Sequence, residues 1–250
     1  MAKLTQIKRF LDRELEVKRI SDSSRNGLQV KCKSEVKKIG FAVDGCLSTF
    51  EKAKKAKVDL LIVHHGIKWK PQKYIKLTKD RENFLKKNKI SLYGAHLPLD
   101  RNHKYGHNIG LAKILELSKI KRFGSYHGFK IGYKGIFDKP KTLNQISDIL
   151  NKELKTKCRI FSFGKTKIKS IGIVSGAGAA SIEDNVKEKL DCFLVGEINL
   201  GEYNRARDYK LSMIVGGHYA TETVGLKLLI PFIKERFNVQ TVFIDNKADL

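Results

Sequence analysis

Leu60-Leu61-Ile62-Val63-His64-His65-Gly66 decides how the chain is read: four apolar residues run directly into two histidines and a glycine. A short apolar run closed by a turn residue predicts a buried strand. Two imidazoles at the end of such a strand stand where the chain leaves a sheet, a position suited to holding a ligand.

Outward from this stretch, strand and helix patterns alternate. Leu4, Ile7, Phe10, Leu11 and Leu15 recur at helical spacing near the start. Asn26-Gly27 signals a turn before a short strand, Leu28 to Val30, and Val36 to Val43 predicts the next strand. Helical patterns follow over Ser48 to Lys57, Asp80 to Asn88 and Ile109 to Leu117, with a strand over Ile90 to Ala95. Further on, Phe129 to Phe137, Arg159 to Phe163, Ile171 to Ser175 and Val239 to Ile244 predict strands. Leu143 to Leu154 and Val224 to Phe237 predict helices, the latter kinked or split at Pro231. The alternation predicts an α/β architecture with a largely parallel sheet.

The chain also resembles itself. Ile39 to His65 lies without gaps on Ile171 to Glu197, with identities that include Gly40/Gly172, Glu51/Glu183, Asp59/Asp191 and Val63/Val195. One strand later, Leu92 to His96 is similar to Ile214 to His218, and each histidine is followed four residues on by a carboxylate, Asp100 or Glu222. Two related α/β halves follow as an expectation, with 1–125 plus 217–250 as the first lobe and 126–216 as the second.

Composition narrows the function. Fifty Lys and Arg against 26 Asp and Glu give a net charge of +24, a surface that attracts polyanions, nucleic acid above all. The lysines are dispersed along the whole chain, which is equally a plain solvated surface. The start of the chain lacks the uninterrupted apolar run of a signal peptide, and no stretch is long enough to span a bilayer. A soluble, cytoplasmic protein is the expectation. Cys32, Cys46, Cys158 and Cys192 are far apart and read as small buried hydrophobes rather than zinc thiolates. Gly176-Ala177-Gly178-Ala179-Ala180 lacks a full phosphate-loop pattern and reads as a tight turn.

His64, His65, His96, Asp100, His218 and Glu222 all follow apolar strands. Imidazoles and carboxylates without thiolate suit a divalent first-row ion such as Zn, Fe, Mn, Co or Ni. Five or six such donors exceed one tetrahedral ion and fit two ions bridged by a carboxylate. His103, His107 and His127 read as ordinary loop histidines.

Three segments carry a resemblance. His64-His65-Gly66-Ile67-Lys68-Trp69-Lys70, Gly94-Ala95-His96-Leu97-Pro98-Leu99-Asp100 and Gly216-Gly217-His218-Tyr219-Ala220-Thr221-Glu222 resemble the motifs of the GTP cyclohydrolase 1 type 2 homologue family, also called the NGG-interacting factor three family. Asn26 to Val30 and Val195-Gly196-Glu197 are similar to two further segments of that family. The resemblance implies a dinuclear metal site between two similar α/β lobes, in subunits assembled as a toroidal hexamer. It implies His64, His65, Asp100, His218 and Glu222 as ligands, with Glu222 bridging, His96 lining the site and Glu197 facing it from the other lobe. The function expected is a metal-dependent hydrolase of a nucleotide or related small phosphorylated heterocycle, with Glu197 or His96 moving the proton. A basic ring that binds nucleic acid or protein, with structural metals, is the alternative.

Overall fold

The computed structural model describes residues 1–126 and 128–248; His127 lies outside them. Contacts divide the chain into two compact units, one of Met1–Asn102 with Leu226–Asn246, the other of His103–Gly225 with Lys247–Leu250. The division falls after Asn102 and Gly225, against the lobe boundaries at 125 and 216 expected from sequence.

The first unit contains β1 (Ala2–Lys3), α1 (Leu4–Glu14), β2 (Gly27–Val30), β3 (Glu35–Val36), β4 (Lys38–Asp44), α2 (Leu47–Lys55), β5 (Leu60–His65), α3 (Ile75–Lys87), β6 (Ser91–Gly94) and α4 (Leu97–Arg101). In the second are α5 (His107–Ile114), β7 (Ser118–Tyr126), β8 (Phe129–Thr142), α6 (Leu143–Leu154), β9 (Arg159–Phe161), β10 (Lys167–Val174), α7 (Ile182–Lys187), β11 (Cys192–Val195), α8 (Leu200–Asp208), β12 (Ser212–Val215) and α9 (His218–Thr221). Next, α10 (Val224–Phe237) and β13 (Gln240–Phe243) return to the first unit. Pro231 sits inside α10, which runs through it as a single helix, so of the kink or split expected there the split does not occur.

The sheet of the first unit has the order β13-β4-β5-β6-β2. Its pairs are parallel except for β2 with β6, as the alternation of strand and helix requires. Its core includes Ala42, Phe50, Leu61, Val63, Ile67, Leu85, Leu92 and Ile244. Burying each of the larger side chains contributes about 1.5–3 kcal/mol, the main force holding α2 and α3 on the sheet.

The sheet of the second unit, β7-β8-β10-β11-β12-β9, is mixed. Only β10–β11 and β11–β12 run parallel; the other three pairs are antiparallel, so the expectation of mainly parallel sheets fails here. The cause is local. β7 and β8 form a hairpin, with no crossover helix between them, and β9 joins β12 as an antiparallel edge. Capping boxes fix two helix starts in this unit: Thr142 with Gln145 at α6, and Asn199 with Glu202 at α8.

The internal resemblance is visible strand by strand. Ile39 pairs with Leu60 as Ile171 pairs with Cys192, in the register that the sequence repeat requires. β2, at the edge beside β6, has its counterpart in β9 beside β12, both antiparallel. One expectation is corrected. Leu60 pairs with Ser91 and Cys192 with Ser212, so Ser91 corresponds to Ser212 and Leu92 to Met213. Aligning the Gly-x-His segments instead puts Leu92 on Ile214, one residue out of step. Side chains confirm the structural register. Ser91 Oγ accepts from the N–H of Cys32 at 3.1 Å, and Ser212 Oγ from that of Gly164 at 3.0 Å. Lys89 and Lys210, each two residues before its serine, share a left-handed backbone, with φ of 54° and 51°. His96 is therefore the counterpart of Gly217, each the N-cap of its short helix, and His218 that of Leu97.

No helix among the described residues is long and apolar enough to cross a membrane.

Candidate metal centre

In the first unit, β5 delivers His64 and His65 as its last two residues, inside the sheet rather than beyond it. The alternation of a strand sends them to opposite faces, yet their rings stay close, 4.6 Å between centroids. His64 is fully buried, and its Nδ1 lies 2.8 Å from the Ala95 carbonyl oxygen. A carbonyl only accepts, so Nδ1 carries the hydrogen and the lone pair is on Nε2.

His65 reaches the same state by another route. Its neighbour in the parallel register is Asp44 on β4, whose Oδ1 accepts from Nδ1 at 2.8 Å. His96, at the N-cap of α4, is held by Asp22, with 3.0 Å from Nδ1 to Oδ1, while its backbone N–H donates to Asn26 Oδ1 at 2.7 Å. Burial would raise the Asp22 pKa, but the hydrogen bond and charge of His96, with Asn26 and the Ser24 N–H, outweigh it and keep the carboxylate below its usual range. All three imidazoles thus have Nδ1 occupied by an acceptor. This is the arrangement that orients histidine for coordination through Nε2. One nitrogen of each of these three histidines lies within 4.8 Å of the others.

Asp100, buried on α4, brings Oδ2 to 3.6 Å from His64 Nε2. Donors about 2.0–2.2 Å from a common cation sit roughly 3–3.6 Å apart, so the spacing fits shared coordination. The loop beyond His65 is strapped by Gln29, whose Oε1 accepts from the N–H of Ile67 at 2.7 Å and of Lys68 at 3.2 Å. Gly66 is required there, because a Cβ would fall 2.2 Å from the Gln29 amide nitrogen. Trp69 donates its indole N–H to the Gly66 carbonyl at 2.9 Å and sets its ring edge-on to His96, 5.1 Å between centroids.

In the second unit, β12 ends at Val215 and Gly216-Gly217 turn the chain into α9, with His218 its first residue. His218 Nδ1 is 2.9 Å from Glu197 Oε2, and Nε2 is 3.1 Å from Glu222 Oε1. Burial works against a charged imidazole, but the two carboxylates prevail and lift the His218 pKa to about 9. A cation taking the place of that proton would meet a nitrogen and a carboxylate oxygen at the right separation. Gly176, at φ 60°, leaves the space they occupy: a Cβ there would lie 2.0 Å from Glu222 Oε1 and 3.1 Å from His218 Nε2. The Gly176 carbonyl accepts from the N–H groups of Gly196 and Glu197 at 2.9 and 3.0 Å, so this glycine-rich segment acts as a turn that places Glu197.

His107 differs from its reading as a loop residue. It opens α5, is fully buried, and accepts from the Gly225 N–H through Nδ1 at 2.9 Å. Asp22 and Asp44, which aim two of the histidines, are not singled out by sequence. Asp44 carries a faint signal as the last residue of a strand beside the one bearing the histidines. Asp22 carries none.

The first unit offers three imidazoles and a carboxylate, the second an imidazole between two carboxylates. The fold and these donors define an α/β protein with histidine–carboxylate clusters at the carboxyl ends of its strands, groups that could hold a metal ion. The chain belongs to the Duf34/NIF3 (NGG1p interacting factor 3) family, whose model matches residues 2–249. It is 44% identical over 247 residues to a protein of Pyrococcus abyssi named GTP cyclohydrolase 1 type 2 homolog, covering 98% of each chain. A protein of the same name from Pyrococcus horikoshii is 45% identical, with the same coverage. Among solved structures, one from Thermus thermophilus is 33% identical with a TM-score of 0.89, covering 99% of this chain and 100% of that one.

Proposed function

We propose that the protein is a metal-dependent hydrolase of a nucleotide or related small phosphorylated heterocycle. In this reading two divalent ions, of Zn, Fe, Mn, Co or Ni, would be held by His64, His65, Asp100, His218 and Glu222, all of them in groups whose spacing could hold a metal ion. The observation that carries it is the common state of His64, His65 and His96, each with Nδ1 against an acceptor, the orientation in which a metal-binding histidine presents Nε2. The name that its relatives bear, GTP cyclohydrolase 1 type 2 homolog, supports the substrate class.

When bound, such ions supply Lewis acidity and lower the pKa of the attacking water. Asp44 and Asp22 keep His65 and His96 in the coordinating tautomer. His96 is the group to move a proton at Nε2, since its Nδ1 is committed to Asp22. Glu197 holds the His218 ring at Nδ1 and, with a cation on Nε2, would share the proton transfer with His96. The subunits assemble as a homo-oligomer, a toroidal hexamer, in the cytoplasm.

Elemental analysis of the purified protein beside its His64→Ala variant tests the reading. Near-stoichiometric metal in the parent and a clear deficit in the variant are expected, together with turnover of GTP or another nucleotide. Metal-loaded protein that leaves every nucleotide intact at stoichiometric concentration would refute the hydrolase.

The charge of +24 supports a second reading, a basic ring that engages nucleic acid or a protein with the metals structural. Under it, Glu222→Ala spares nucleic-acid binding, and the binding weakens steeply with salt. Salt-insensitive affinity would remove it.

A further inference from the structure

The second unit contains a cavity of about 710 Å³ whose lining includes Lys157, Arg159, Glu197, Gly217, Tyr219 and Lys247. Its floor is the backbone just past β11 and β12, at the carboxyl ends of the parallel strands, where open α/β sheets take their ligands. Glu197 forms part of the wall and also holds His218 Nδ1, so the cavity opens beside a candidate metal donor.

The lining is strongly basic. Its single carboxylate, Glu197, is already engaged by His218, against the three cations Lys157, Arg159 and Lys247. Neither Lys157 nor Arg159 forms an ion pair among the described residues, whereas Lys33, Lys68 and Lys165 each meet a carboxylate. Arg159 opens β9 and pairs with Val215 across the antiparallel ladder, which puts both side chains on one face, and Val215 lines the same cavity. The lead-in bearing Lys157 is fixed by Asn151: its carbonyl accepts from the Thr156 N–H at 3.3 Å, and its Oδ1 accepts from the Cys158 N–H at 2.7 Å. Two unneutralised cations held on a pinned segment at the rim of a cavity are arranged for an anion.

We infer that this cavity is the anion subsite of the substrate, holding its phosphate groups on Lys157 and Arg159 next to the His218–Glu197 pair. The inference rests on the hydrolase reading for the role of the anion, though not for its binding. It assigns selectivity for a phosphorylated ligand, such as a nucleoside di- or triphosphate over its nucleoside, to two residues outside the metal-donor set.

Inorganic pyrophosphate is the probe, titrated calorimetrically into the protein as purified and again after EDTA treatment. Saturable binding is expected in both forms, weakened at least tenfold in Lys157→Ala/Arg159→Ala and largely recovered in Lys157→Ala/Arg159→Lys. Lys54→Ala/Lys55→Ala, which removes the same charge from exposed positions on α2, should change it less than twofold. If the double variant melts early, Lys157→Ala alone, on the lead-in to β9, should still weaken binding about threefold. Absence of saturable binding, loss of binding after EDTA, full affinity in the Lys157/Arg159 variant, or an equal loss in the Lys54/Lys55 control each overturns the inference. A protein that purifies without metal, yet binds pyrophosphate through Arg159, leaves the anion subsite standing and removes the hydrolase.

Discussion

Asp59 and Asp191 are held by equivalent partners, one set in each copy of the internal repeat. Asp59 Oδ2 accepts from the backbone N–H of Lys37 and Lys38 at 2.8 and 3.0 Å, while Oδ1 meets the Lys33 ammonium. Asp191 Oδ2 accepts from the N–H of Lys169 and Ser170, both at 2.9 Å, while Oδ1 meets the Lys165 ammonium at 2.6 Å. Each carboxylate, at the start of one strand, ties down the start of its neighbour. The shared arrangement is stronger testimony to a duplication than the identity of the residues.

Asp59→Ala or Asp191→Ala should therefore cost about 1–3 kcal/mol, because two backbone donors lose their acceptor. Chemical unfolding at neutral pH measures it. Acid should reveal the same contacts. Burial alone would raise both pKa values, but the lysine and the two N–H groups outweigh it and hold each below the carboxylate reference of 3.8. A depressed native pKa gives stability that is complete above the unfolded value and is lost as pH falls through the native one. Asp59→Asn should accordingly lose less stability than the parent below about pH 4. An unchanged acid slope would contradict this.

Asp44→Asn tests whether a carboxylate behind His65 matters for coordination. The amide can still accept from Nδ1 but brings no charge, so metal affinity should fall about 10–100-fold while His65 itself remains. Competition with a coloured chelator would read the change. Affinity equal to that of the parent would show that Asp44 merely packs.

Gly176→Ala should damage the second donor cluster. The left-handed backbone costs alanine about 1 kcal/mol, and its methyl would overlap Glu222 Oε1, which a glycine clears. The expected result is reduced metal content with far-ultraviolet dichroism preserved. Full metal content would show that Glu222 has room to move.

Chelation should lower the melting temperature if cations bind the native state alone. A ligand present at 100 times its dissociation constant adds about 2.7 kcal/mol. Re-addition of metal should restore the melting point, and His218→Ala should blunt the response. A melting curve indifferent to chelator would argue against tight binding.

Much of this is legible in the sequence. The strand ending in His64-His65 and the repeat that lays Ile39 on Ile171 lead to the correct first sheet, and all five anticipated ligands fall within donor clusters. β7 escapes notice because its Lys-rich, alternating exposure gives no apolar face to detect. With it goes the hairpin that makes the second sheet mixed. The register of β12 is hidden for a different reason: similar Gly-x-His strings draw the alignment one residue out of step, and a single-residue insertion leaves no mark in composition or period. Asp22 is invisible because its partner is 74 residues away.

That one-residue displacement has a consequence for how the two copies diverged. Position for position, His96 of one copy stands where Gly217 stands in the other, and the second copy carries its histidine one place further along. The copies now present unlike chemistry, one rich in nitrogen and the other in oxygen. If two ions bind, donors so unlike should give them distinct affinities, and titration with metal should show two steps.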